Sequence, residues 1–163
     1  MDSASKPLRP RRTKELLETA DAQLARAHRH LSAEPPRYAE AATSLVEVVE
    51  TGVRAFFTWH GGDWLDGAPL ARRAERAVSL ASSLRTPLRR ARRIVPVAER
   101  LQATGDEALS VKDREAVLEG FYAVRNLYFT LLGELPLAVR PDATLPPDAV
   151  VPVGARSMAA YAA

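Results

Sequence analysis

Val117-Leu118-Glu119-Gly120-Phe121-Tyr122-Ala123-Val124-Arg125-Asn126-Leu127-Tyr128-Phe129-Thr130-Leu131-Leu132-Gly133-Glu134-Leu135 is the stretch that decides how this chain folds. It reads as a helix that is apolar on most of its circumference, with Arg125 and Asn126 in its middle. A helix of a soluble bundle normally keeps one face in water, and an arginine is almost never fully buried unless paired. The segment is therefore either a buried helix whose arginine has a partner, or a surface that another chain covers.

Upstream of it, Ser110 and Asp113 form a Ser-x-x-Asp capping box, and Glu115 adds negative charge to the first turns. Downstream, Pro136 stops the helix. Further back, Leu17, Ala20, Leu24, Ala27 and Leu31 recur at three- and four-residue spacing and predict a helix over 13–31, with Thr13 as its N-cap. Pro35-Pro36 ends it. A second helix is predicted over 37–60, with Tyr38, Ala42, Leu45, Val49, Gly52, Phe56 and Trp59 on one face. Gly52 costs about 1 kcal/mol relative to alanine inside a helix, so the close approach of a neighbouring helix is its expected reason. Gly61-Gly62 supplies a left-handed C-terminal cap. Pro87 and Pro96 divide a third segment into pieces near 68–85, 87–95 and 96–103.

The expectation is an all-α antiparallel bundle of four to five helices over 13–135. A basic irregular arm at 1–12 precedes it, and a Pro-rich irregular tail at 136–163 follows. Composition agrees: 163 residues suffice for one core, and 47% apolar with 26% charged residues is ordinary for a globular domain. The chain has no cysteine, which removes disulfides, thiolate metal sites and cysteine nucleophiles. No signal-peptide core and no apolar run of about 20 residues is visible, so a cytoplasmic protein without a membrane partner is expected.

Familiar catalytic patterns are missing. No glycine-rich phosphate loop, no Gly-x-Ser-x-Gly elbow and no His-Glu-x-x-His occurs. His28 and His30 stand two residues apart, about 200° around a helix, so they cannot share a metal. No metal site and no cofactor is expected.

Two constellations remain, and one carries a resemblance. Arg125 shares a side of its helix with Leu118, Phe121, Tyr122, Phe129 and Leu132, and needs a carboxylate, carbonyls or an anion there. A helical pair, a variable third segment and a helix bearing Arg-Asn in an apolar setting resemble the HEPN domain, over residues 13–135. HEPN domains are helical bundles found in many prokaryotic ribonucleases and in toxins paired with minimal nucleotidyltransferases. The resemblance implies a homodimer whose seam holds Phe121, Tyr122, Tyr128 and Phe129. It also implies a metal-independent site with the motif Arg-x4-His. Arg125 and Asn126 match the first two positions, whereas Thr130 stands where the histidine belongs. Gln23, Ala25 and Ala55 lie five residues before the three histidines, so the motif is absent throughout. Threonine is no acid or base near neutral pH, and proton transfer contributes about 10²–10⁴-fold in rate. The implied role is a binding or assembly module acting on RNA, a nucleotide or a protein partner. An active toxin-type ribonuclease using Arg125, Asn126 and Thr130 is the alternative.

The second constellation is electrostatic. Between residues 68 and 101, nine arginines (72, 73, 76, 85, 89, 90, 92, 93 and 100) face only Glu75 and Glu99, and the rest of the chain is net acidic. Arg85, Arg89, Arg90, Arg92 and Arg93 are candidates for nucleic-acid or anion binding, against the plainer reading of a solvated face. The segment has no aromatic residue on which a base could stack. Trp59 and Trp64, around a tight turn, either close the core or offer a partner an anchor. The tail 136–163, with five prolines, offers a third function, an adaptor that recruits an antitoxin or another protein.

Overall fold

The structure, a computed structural model, describes residues 8–61 and 68–135. Residues 1–7, the Gly62-Asp63-Trp64 half of the tryptophan turn and the tail 136–163 lie outside that range. Six α-helices follow in order: α1 (Leu8–Ser32), α2 (Tyr38–His60), α3 (Leu70–Leu80), α4 (Arg85–Ala91), α5 (Ile94–Thr104) and α6 (Val111–Glu134). Short 3-10 turns precede α4 at Ser82–Leu84 and α6 at Asp106–Ala108. The described residues contain no strand, so the chain is all-α as its periodicity predicts.

Prolines sit in the opening turns of helices here, and the helices begin two residues earlier than the division at Pro87 and Pro96 predicts. Pro10, Pro87 and Pro96 are each the third residue of a helix, α1, α4 and α5 respectively. The first four N–H groups of a helix have no intrahelical partner, so a proline in the first turn loses nothing. Two corrections follow. The first helix starts at Leu8, which removes 8–12 from the irregular arm, and Thr13 is a fully buried helical residue rather than a cap. The third segment breaks at Ala81–Leu84 and at Arg92-Arg93, upstream of each proline.

Packing directions follow from side-chain pairs. Arg26 meets Glu47 at 3.6 Å and His30 meets Glu40 at 3.4 Å, so α1 and α2 run antiparallel. The Tyr128 hydroxyl donates to the Leu17 carbonyl at 3.4 Å, and His28 lies 6.0 Å from the Phe121 ring, so α6 is antiparallel to α1. Ser83 donates to Glu134 at 2.6 Å and Arg100 to Asp113 at 3.0 Å. The α4–α5 pair therefore forms one kinked column antiparallel to α6. Arg114 over the Tyr38 ring at 6.0 Å leaves α2 and α6 parallel. The result is an up-down-up-down bundle of four columns, with α3 laid against α2 through Ala74 and Ala77.

The core is the set of stripes read from the sequence. Leu17, Ala20, Leu24, Ala27 and Leu31 are at most 1% exposed, and Leu45, Val49, Gly52 and Phe56 bury the facing side of α2. Burying each large aliphatic or aromatic side chain contributes about 1.5–3 kcal/mol. Gly52 has the expected reason: a Cβ there would lie 2.8 Å from the Leu131 Cδ1. Gly61 caps α2 in the left-handed region, with φ of 64°. Ser110 caps α6, its hydroxyl accepting from the Asp113 N–H at 3.1 Å. The start of α2 uses a cap from a distance. Arg37 offers α2 no side-chain cap, and Asp106 instead accepts the Ala39 N–H at 2.9 Å.

Candidate functional site

The middle of α6 presents a stripe rather than a cleft. Val117, Leu118, Gly120, Phe121, Val124, Leu127, Tyr128 and Leu131 turn inward, while Tyr122, Asn126, Phe129 and Gly133 turn outward. Phe121 and Tyr128 are thus core residues of their own chain, at 0% and 1% exposure, which leaves Tyr122 and Phe129 as the rings a partner can reach. Those two are 39% and 36% exposed, high for aromatic side chains. Seven residues apart, they fall on one face of the helix.

Arg125 lies between them at the edge of that stripe and is half-buried. Its guanidinium stands 5.8 Å from the centroid of the Phe129 ring, a cation–π arrangement that orients the head along the surface. Asn126 is exposed. Thr130 is half-buried, and its hydroxyl donates to the Asn126 carbonyl one turn back at 2.8 Å. Five residues carry the helix about 140° past a whole turn, so Arg125 and Thr130 do not converge on one point within a single chain. Thr130 is thus a half-buried hydroxyl bonded back to its own helix.

A buried polar layer lies beneath. The Tyr128 phenol meets α1 beside Asp21, itself 5% exposed. Burial pushes that phenol well above its ordinary value of 10.0, and the Asp21 carboxylate, by its charge and its hydrogen bond, pushes it further. Tyr128 is therefore neutral at any physiological pH and serves as a structural donor. Among the described residues no group of three or more histidine, aspartate or glutamate side chains could hold a metal ion.

The arginines of the third segment occupy a different flank. Along α4 and its two junctions, Leu84, Leu88, Ala91 and Ile94 are buried on the side of α6, and Arg85, Arg89, Arg90 and Arg93 are exposed, with Arg92 half-buried. On α6 the side facing this column is marked by Gly120, opposite Ile94, and by Glu134, held by Ser83. Arg125 stands about 140° from the first and half a turn from the second. The structure therefore separates the two predicted constellations.

One feature has no counterpart in the sequence reading, an open groove of about 300 Å³ between α1, α2 and the end of α5. Arg26, His30, Glu40, Thr43, Glu47 and Gln102 line it. Its charges are matched internally by the Arg26–Glu47 and His30–Glu40 contacts, and Gln102 donates to Thr43 at 3.0 Å. The four-residue step from Arg26 to His30 and the seven-residue step from Glu40 to Glu47 are its only sequence trace. Trp59 is half-buried against the core and does not line this groove.

No family model matches the chain, and no characterised protein or solved structure is detectably similar to it. No helix among the described residues is long and apolar enough to cross a membrane.

Proposed function

We propose that this chain is a HEPN-like, cytoplasmic binding and assembly module without efficient catalysis, and that it associates with a second copy through the outer face of α6. The observation that carries the reading is the exposure of Tyr122 and Phe129 on one face of that helix, with the Arg125 guanidinium packed on Phe129. Aromatic rings and arginine are the side chains that most often anchor protein interfaces, because they bury large areas at low entropic cost. Two antiparallel copies would cover the four rings and bring both Arg125 groups, with Asn126 beside them, into one anion-seeking seam for RNA, a nucleotide or a protein partner.

The non-catalytic part rests on Thr130. A hydroxyl that donates to its own helix at 2.8 Å supplies neither an acid nor a base to a 2′-hydroxyl attack.

Light scattering of the full chain at tens of micromolar tests the seam. A dimer mass for the natural protein and a monomer mass for Tyr122→Asp/Phe129→Asp are expected, with helicity retained because both positions are exposed. A natural protein that stays monomeric sinks the seam. Incubation with total RNA tests the chemistry: cleavage by the natural protein that disappears in Arg125→Ala would restore the ribonuclease reading in its place.

A further inference from the structure

The outer face of α4 keeps an electrostatic arrangement that works against its own helix. Arg85, Arg89 and Arg93 recur every fourth residue, and the backbone holds helical φ and ψ through the junction at Arg92 (−65°, −17°) and Arg93 (−62°, −20°). Arg85 and Arg89 stand one turn apart on α4 with Arg90 beside them, and Arg92 and Arg93 continue the basic flank past the bend into α5. Like charges at four-residue spacing repel and destabilise a helix. None of these five arginines makes an ion pair with a described residue, although Arg11, Arg26, Arg37 and Arg100 elsewhere all do. Meanwhile the opposite side of α4 is locked to the core by Leu84, Leu88, Ala91 and Ile94, each at most 1% exposed. The flank is a comb of guanidinium groups, without ion pairs to described residues, on a packed support.

We propose that this comb is a docking surface for an acidic helical segment of a partner protein. Four residues of helix advance about 6 Å, so glutamates four residues apart on a partner helix repeat with the spacing of Arg85 and Arg89, and further acidic residues meet Arg90 and, past the bend, Arg93. Each guanidinium is a planar fork that donates two parallel hydrogen bonds to a carboxylate. A nucleic acid fits less well. Binding along a single strand combines backbone charge with rings on which bases stack, and residues 68–104 hold no phenylalanine, tryptophan or tyrosine. The comb lies across α6 from Arg125, so the inference does not depend on the proposed self-association.

The test uses the full chain and a fluorescein-labelled synthetic helix with glutamate at every fourth position, read by fluorescence anisotropy. Arg85→Gln/Arg89→Gln/Arg93→Gln is expected to weaken binding about tenfold, from three exposed charge pairs. Arg12→Gln/Arg29→Gln/Lys112→Gln, which changes net charge equally at exposed sites off the comb, is expected to leave affinity within twofold. Polyuridylate of equal charge is expected to compete poorly. No measurable binding, an equal loss in both triple variants, or polyuridylate binding more tightly than the peptide each overturns the proposal. Light scattering of the same variants reports on the α6 seam separately.

Discussion

Gly120 of α6 lies directly against Ile94: a Cβ at Gly120 would lie 2.6 Å from the Ile94 Cδ1 and 3.2 Å from its Cγ1. Ile94 opens α5 at the kink of the α4–α5 column, and α6 can approach that kink only where it has no side chain. Gly120→Ala gains helix propensity but drives a methyl group into a β-branched residue that is 1% exposed. A net loss of about 1–3 kcal/mol is expected, seen as a lower urea midpoint at unchanged slope. Gly133, near the end of the same helix, has nothing within 4 Å of the corresponding position. There Gly133→Ala should stabilise by up to about 1 kcal/mol. Two glycines with the same propensity and opposite outcomes isolate the packing term, and equal shifts would show that the contact does not govern stability.

The contrast marks how far the sequence could be read. The stripes of α1 and α2 were legible because each is set by local periodicity, and every member from Leu17 to Leu31 is buried. The caps at Gly61 and Ser110 were legible for the same reason. The contact of Gly120 with Ile94 and the cap from Asp106 to Ala39 span many residues and leave no local trace. Pro87 and Pro96 marked the divisions of the third segment only to within two residues, because a proline is at home both at a helix start and elsewhere in its first turn, and tertiary packing chooses. At the candidate site, Arg125 between exposed rings was visible as an anomaly in an apolar helix. The inward turn of Phe121 and Tyr128 was not, since apolar residues on all sides conceal which face meets the core.

Asp106 reaches α2 from the loop before α6, and its carboxylate is the acceptor for the Ala39 N–H. Removing an N-cap acceptor typically costs about 1 kcal/mol. Asp106→Ala should lose about that much in chemical denaturation. Asp106→Asn, which keeps a side-chain oxygen, should lose less than half of it. Equal losses in the two variants would mean that the oxygen's hydrogen bond is not what stabilises the start of α2.

Asp113 ties the start of α6 to α5. Hydrogen bonds from Arg100 and then Ser110 hold its carboxyl below the ordinary value of 3.8. A carboxylate with a lowered folded-state value contributes stability that is complete above the unfolded value and is lost as pH falls through the folded one. Between pH 5 and pH 2, Asp113→Asn should therefore show a shallower loss of thermal stability than the natural protein, with the two curves converging at the acid end. Arg100→Gln should move part of the way in the same direction. Parallel curves over that range would remove Asp113 from the acid response.

Tyr128 governs the alkaline side with the opposite sign. Burial first, and the Asp21 carboxylate second, raise its phenol above the ordinary 10.0. The unfolded chain releases this proton near pH 10 while the folded chain still holds it. The stability that Tyr128 contributes is thus complete below that pH and declines as pH climbs toward the folded-state value. Tyr128→Phe deletes the donor to the Leu17 carbonyl and should cost about 1 kcal/mol at pH 7. From pH 9 to pH 11.5 its urea midpoint should then fall less steeply than that of the natural protein, because one buried phenol no longer has to resist ionisation. If the alkaline limbs of Tyr128→Phe and the natural protein run parallel over that range, the buried Tyr128–Asp21 layer is not their origin.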